Sequence, residues 1–248
     1  MSINSIFFKP FGLKLSRLEV KAEEQFIDDS VFMDLYEKSR PYTMTTIERM
    51  YSLYQAVRYI VKYNIPGNFV ECGVWRGGSS MMIALTLAKL GQTDRQIYLY
   101  DTFEGMSDPT GDDVTFKGDA ATILMKEAEA NKETSVWCLA TLEDVKANMA
   151  LTGYPAENLH YVKGKVEDTI PALLPQQNIA LLRLDTDWYE STAHELEFLY
   201  PMLNHSGVLI IDDYGHWAGC RRAVDEYFEN TRILLNRIDY TGRIAIKS

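Results

Sequence analysis

The chain has 248 residues, 46% of them hydrophobic, with 35 acidic against 25 basic side chains and a formal net charge of −10. This composition fits one α/β domain with elaborations or two small domains, and excludes a disordered chain. A field of that sign disfavours nucleic acid and anionic membrane surfaces as partners.

The N-terminus, MSINSIFFKPFGLKL, lacks the long apolar core and small-residue cleavage site of a secretory signal. No apolar run reaches the roughly 20 residues needed to span a bilayer, so a cytoplasmic protein is expected. Phe7, Phe8 and Phe11 are expected to pack on the body or on a partner subunit. Residues 19–40 are charged and mixed and read as helical. A loop around Pro41 follows, with Thr45 or Thr46 placed to cap the next helix. From Ile47 to Tyr63 apolar residues recur at helical spacing (Met50, Leu53, Tyr54, Val57, Ile60, Val61) until Pro66-Gly67 breaks the pattern. Asn68–Cys72 reads as a first strand, Gly73 to Gly78 as a glycine-rich turn and Ser79 to Leu90 as a helix. Ile97–Tyr100 is a second strand, ending at Asp101.

The stretch 102–158 is long for one connection. It is loop-like to Gly118, then reads as helical from Asp119 to Met149 with a break near Thr134. Insertions of this kind often act as lids. Leu159–Val162, Ile179–Leu184 and Val208–Ile211 read as further strands, and His194–Tyr200 and Arg221–Asn230 as helices. Ile233–Ile238 and Arg243–Ile246 form a hairpin-like pair around Thr241-Gly242. The expected fold is α/β: a doubly wound, mostly parallel, Rossmann-like sheet of seven strands with a C-terminal antiparallel strand. Residues 1–66 are expected to be a helical extension, and 67–248 the catalytic domain carrying the 102–158 insertion. The three cysteines, Cys72, Cys138 and Cys220, contain no CxxC pair and are expected to be buried or partly buried thiols.

Two of these strands end in paired acids. Leu181–Leu184 leads into Asp185 and Asp187, and Val208–Ile211 into Asp212 and Asp213. Open α/β sheets bind ligands at the carboxyl ends of their strands. Four carboxylates gathered there repel one another and favour a hard divalent cation. In an extended segment Asp187 would point the same way as Asp185.

The turn FVECGVWRGGSS has glycines spaced G-x-x-x-G-G, so the dinucleotide fingerprint is not met. Glu71 at the strand end would repel a pyrophosphate on the following helix but favour the cationic sulfonium and ammonium of S-adenosylmethionine. Asp101 is placed to accept ribose hydroxyls, and Gly164 to Asp168, including Val166, lie where an adenine would sit.

FVECGVWRGGSS, LYDTFEGM, LRLDTDWYEST and GVLIIDDYGHWAGCRRAVDEYF, with RPYTMTTIERM upstream, resemble the macrocin O-methyltransferase family from about Arg40 to the C-terminus. The resemblance implies a class I methyltransferase fold, S-adenosylmethionine, a magnesium ion and a homo-oligomer. It also implies methylation of sugar hydroxyls on macrolides, aminocoumarins and related glycosides. It matches Asp185, Asp212 and Asp213 to metal ligands and Asp187 to a general base. Glu71, Gly73, Ser79 or Ser80, and Asp101 match cofactor contacts, and Thr43 and Met44 a segment closing over the cofactor.

A sugar hydroxyl is a very weak acid, so a divalent ion that lowers its pKa and orients it makes chemical sense here. Asp187 would then take the proton, with His216 as the alternative base. Trp188 stands where catechol-type metal methyltransferases carry a lysine, which weakens a phenol or catechol reading. Trp188 or Tyr189 is expected to wall the sugar ring instead. His194 is expected to be structural, Tyr214 and Trp217 packing or wall residues, and Arg221 and Arg222 either partners of carboxylates such as the metal-site acids or, equally, members of surface pairs. An NAD-type oxidoreductase is disfavoured by Glu71 and the glycine spacing. A binding module without catalysis is disfavoured by the intact acids.

Overall fold

In a computed structural model the chain is described over residues 29–248, and as backbone only over 5–8 and 13–16. It divides into a short N-terminal unit, up to residue 31, and a main unit from 32 to 248. In the first unit β1 (Ser5–Phe8) pairs antiparallel with β2 (Leu13–Ser16). The expectation of a helical extension is corrected there, where the two segments pair as strands. The expected packing of Phe7, Phe8 and Phe11, and the helix expected over 19–28, fall outside the described residues.

In the main unit come α1 (Ser30–Ser39), α2 (Ile47–Lys62), β3 (Asn68–Cys72), α3 (Gly78–Lys89) and β4 (Ile97–Asp101). The insertion contributes α4 (Ala121–Glu127) and α5 (Leu142–Ala150). Then follow β5 (Leu159–Lys163), α6 (Val166–Thr169), β6 (Ile179–Leu184), α7 (Tyr189–Leu199), β7 (Leu203–Ile211) and α8 (Ala218–Tyr227). The short β8 (Asn236–Arg237) and β9 (Arg243–Ile246) close the chain. The seven-stranded sheet has the order β5-β4-β3-β6-β7-β9-β8, with β3 to β7 parallel and β9 antiparallel to β7. Winding proceeds outward from β3 to β5, then returns to β6 and outward again. The switch point lies between β3 and β6, where open sheets leave a crevice for ligands.

β3, β6 and the second half of β7 are buried throughout, which is why they read as unbroken apolar runs. Thr46 caps α2, its hydroxyl accepting the Arg49 N–H, and α2 buries Met50, Leu53, Tyr54, Val57 and Ile60. On the opposite sheet face Val70, Cys72, Leu182, Leu184, Leu209 and Ile211 pack with Leu196, Leu199 and Val224 of α7 and α8. Cys72 and Cys220 are buried and Cys138 half-buried, all unpaired, as the sequence implies. Among the described residues no helix is long and apolar enough to cross a membrane.

Several boundaries differ from expectation. The insertion is non-helical from 128 to 141, far wider than a break at Thr134. The helix expected from Arg221 begins at Ala218, and the one expected from His194 begins at Tyr189.

Charge interrupts two of the central strands. Glu71 in β3 and Arg183 in β6 are register partners, both nearly inaccessible, and their side chains meet at 2.6 Å. Arg183 also reaches Asp185 at 2.7 Å and Asp212 at 2.8 Å. Removing one partner of a buried pair strands charge in a poor solvent. Arg183→Met is therefore expected to cost about 3–5 kcal/mol of unfolding free energy, and adding Glu71→Gln to restore part of it. Urea titrations of both variants check this, and a loss below about 1 kcal/mol would place the pair among ordinary surface bridges.

Candidate active site

The ladder that builds the sheet also builds the site. Leu184 of β6 is in register with Cys72 of β3 on one side and Ile211 of β7 on the other. The residues that follow, Gly73, Asp185 and Asp212, therefore emerge side by side at the switch point. Backbone bonds from Asp185 N to Cys72 O and from Asp212 N to Leu184 O, both 2.9 Å, fix that level. They border a cavity of about 420 Å³, within the usual range for small-molecule sites.

Asp185, Asp212 and Asp213 each present an oxygen, and these lie within 4.8 Å of one another. Asp187 joins them differently from expectation. Its φ of 66° is left-handed, not extended, so the chain doubles back. Its N–H donates to Asp213 Oδ2 at 3.3 Å, and the residue still lines the cavity. Burial and then the charge of Asp185 push Asp187 up to about 7. Burial also raises Asp185 and Asp213 well above the carboxylate range, with neighbouring acids adding to it.

Two guanidiniums face these acids. Burial alone would lower Arg183, but Asp185, Asp212 and Glu71 hold it well above its ordinary value. Arg49, projecting from α2, bonds Asp212 Oδ2 and lies 3.1 Å from Asp239. Asp212 Oδ1 is 2.8 Å from Arg183 Nη2, yet receives no aligned hydrogen bond. The acids still outnumber the cations, and an inaccessible carboxylate oxygen is left without an aligned donor. An all-oxygen donor set with that surplus fits a hard divalent ion.

The glycine-rich turn is shaped by Asp101. Its Oδ2 accepts the N–H groups of Val74 (2.7 Å) and Trp75 (3.2 Å), and its Oδ1 that of Phe103 (2.6 Å). The amides a pyrophosphate would need are thereby taken. Gly73 has φ +80°, and a Cβ there would sit 1.9 Å from Asp185 O. At Gly78 a Cβ would lie 2.6 Å from the Thr43 Cβ, so the Tyr42–Thr45 segment packs directly over the start of α3.

Of the residues singled out by sequence, Thr43, Met44, Gly73, Ser79, Asp101, Gly164, Val166, Asp185, Asp187, Asp212, Asp213 and His216 all line the cavity. Glu71, Ser80 and Asp168 do not. Glu71 is drawn behind the wall by Arg183 and by the Ser80 hydroxyl, so its charge is spent inside the sheet and does not face a ligand. The case against a dinucleotide passes from Glu71 to Asp101. Trp188 and Tyr189 also leave the site. Trp188 is buried against Trp217 and donates to Ser107 O, while the Tyr189 hydroxyl donates to Glu226. Trp217 does line the cavity, whereas the Tyr214 hydroxyl goes to Asp225. His194 bonds the Ile170 carbonyl, a structural role as expected. Arg221 pairs with Asp225, and Arg222 with Asp112 and Glu226, not with the site acids. His216 is kept below its ordinary pKa by burial and by Arg49 and Lys117.

Arg49, Arg183 and Glu195 belong to the site or brace it without being among the residues expected from sequence. A lone charge inside a buried strand, LLRL, was the available signal for Arg183, since such a group needs a partner. Glu195 is buried in α7 and accepts the Thr186 hydroxyl at 3.1 Å, steadying the loop between Asp185 and Asp187.

A family model described as Macrocin-O-methyltransferase (TylF) matches residues 16–245. The chain is 36% identical over 203 residues to the 8-demethyl-8-(2,3-dimethoxy-alpha-L-rhamnosyl)-tetracenomycin-C 4'-O-methyltransferase of Streptomyces olivaceus, covering 81% of this chain and 74% of that one. It is 34% identical over 186 residues to the demethyldecarbamoylnovobiocin O-methyltransferase of Streptomyces niveus, covering 75% and 67%. The solved structure of the O-methyltransferase NovP superposes with a TM-score of 0.72 at 32% identity, over 84% of this chain and 82% of that one.

The contact of Gly73 with Asp185 generates a test. Gly73→Ala combines a left-handed backbone with a clash against main chain, and is expected to lose about 2 kcal/mol or more of stability. Thermal unfolding would read this as a drop in Tm of several degrees, and an unchanged Tm would show that the two turns separate freely.

Proposed function

The chain belongs to the macrocin O-methyltransferase family, and from that premise we propose that it transfers the methyl group of S-adenosylmethionine to a sugar hydroxyl of a glycoside, with Mg²⁺ or another divalent cation. The observation that carries this reading is the grouping of Asp185, Asp212 and Asp213 within 4.8 Å on the wall of a cavity that the glycine-rich turn also lines. The methyl donor would lie along the ends of β3, β4 and β5, over Gly73, Ser79, Asp101, Gly164 and Val166, with Thr43 and Met44 covering it. The acceptor would enter from the β6 and β7 side. Supporting a neutral sugar over a phenol are the related rhamnosyl-tetracenomycin enzyme and the absence of the catechol-type lysine at Trp188.

Asp185, Asp212 and Asp213 are the residues that would hold the ion. When bound, it lowers the pKa of the acceptor hydroxyl and fixes its direction. Asp187 accepts the hydroxyl proton as the oxygen attacks the methyl carbon in line, and the sulfonium leaves as a neutral thioether. Its left-handed turn keeps it on the cavity wall beside the ligand acids, with its backbone N–H donating to Asp213 Oδ2. Closure of the Tyr42–Thr45 segment over the bound donor would exclude water from the reacting groups.

Methyl transfer from labelled S-adenosylmethionine to a panel of neutral glycosides, with and without Mg²⁺, tests the reading. Activity should vanish in EDTA and return with Mg²⁺, and transfer that survives chelation would remove the ion from the reaction. Asp187→Asn is expected to lower kcat by about 10²–10⁴-fold while cofactor affinity measured by calorimetry stays within about twofold; a normal kcat would shift the base to another group, His216 first.

A further inference from the structure

Three separate loops bring aromatic rings together, two of them on the cavity wall and the third against those two. Phe116 comes from the insertion, His216 from the β7–α8 loop and Tyr240 from the β8–β9 hairpin. Their ring centres lie 5.8 Å (Phe116–His216), 6.2 Å (Phe116–Tyr240) and 6.1 Å (His216–Tyr240) apart, with interplanar angles of 60° to 76°. The two contacts of His216 are edge-on and the Phe116–Tyr240 contact is tilted, so no ring is stacked face to face on another of the three.

Main-chain ties hold the group together. Phe116 N donates to His216 O at 2.8 Å and Gly215 N to Thr241 O at 3.0 Å. Gly215 packs so tightly on the hairpin that a Cβ would lie 2.0 Å from Tyr240 O. The Thr115 hydroxyl accepts the N–H groups of Lys117 and Asp119 at 3.2 Å, bracing the turn that carries Phe116. Phe116 is nonetheless 59% exposed and Tyr240 50%. A single exposed ring is ordinary, but adjoining rings braced beside a cavity mark a ligand surface. His216 and Tyr240 continue into the cavity wall.

Strand order assigns His216 and Tyr240 to the acceptor side, and the bond from Phe116 N to His216 O carries Phe116 there although its loop follows β4. Gly73, Asp101 and Gly164 follow β3, β4 and β5, on one side of the switch point, whereas His216 follows β7 and Tyr240 precedes β9, on the other. The acids at the ends of β6 and β7 lie between. An acceptor spanning acids and rings needs a hydroxylated end and a flat apolar end.

We propose that Phe116, His216 and Tyr240 form a platform for a flat, apolar aglycone attached to the methylated sugar, and so set acceptor preference. This rests on the acceptor being a glycoside. Lys117, 5.5 Å from the Phe116 ring centre, covers part of that ring and would favour electron-rich aromatic systems nearby.

The test compares 4-methylumbelliferyl α-L-rhamnoside with methyl α-L-rhamnoside by calorimetry and by methyl-transfer kinetics on the full-length protein. Wild type should bind the aryl probe about tenfold more tightly. Phe116→Ala and Tyr240→Ala should each shrink that ratio several-fold, and Phe116→Trp should retain it. No preference in wild type, or a preference that survives both alanine substitutions, overturns the platform. So does a change of oligomeric state on gel filtration in the alanine variants, which would make the rings an interface between copies. Ring-dependent binding without methyl transfer would sink the glycoside acceptor and leave an aryl-binding surface; transfer without ring dependence would do the reverse.

Discussion

The Arg183 guanidinium is the interaction on which the rest of this structure depends. It sits one residue from the carboxyl end of β6, inside the sheet, and meets Glu71 on the neighbouring strand and Asp185 and Asp212 at the strand ends. A charge so placed is tolerable only if several opposite charges surround it. Those partners in turn fix what the site presents. Glu71 is consumed internally, while Asp185 and Asp212 are held by the same cation and so keep a common position. The pairing also guards register. Slipping β6 by one residue would send Arg183 to the apolar face packed by α7 and α8, away from every carboxylate that neutralises it.

Around that centre two halves of the molecule have different tasks. The β3–β4–β5 side is made of backbone: a glycine-rich turn whose amides are held by Asp101 and covered by the Tyr42–Thr45 segment. The β6–β7 side is made of carboxylates and, farther out, rings. Arg49 connects the halves by reaching from α2 to Asp212 and Asp239, while Thr46, the cap of the same helix, bonds Asp239 as well. The helix that follows the covering segment is thus anchored on the acid cluster.

Much of this was legible in the chain itself, and the parts that were not share a cause. Apolar runs at 68–72, 179–184 and 208–211 identify buried parallel strands, and the acids closing two of them mark the site, because both signals are local. Glu71 was misplaced because its partner lies 112 positions away, and strand neighbours are not visible in sequence. Asp187 was assigned to an extended segment because a left-handed aspartate leaves no mark in composition. Trp188 was expected at a ligand wall, but the positions of Ser107 and Trp217 bury it. The insertion is the least local part. Asp113, fully buried, accepts the Tyr189 N–H and the Thr110 N–H and hydroxyl, so its path is set by docking on α7 rather than by helical periodicity.

Gly73 and Asp185 touch through their main chains, with no side chain between them to absorb a shift. A ligand that moves the glycine-rich turn must displace the first acid of the opposite cluster, and the reverse holds with equal magnitude, since the free energy linking two occupied sites is the same from either direction. A ligand seated on one half would thereby act on the other, through this contact and the Asp185 N–Cys72 O hydrogen bond beside it.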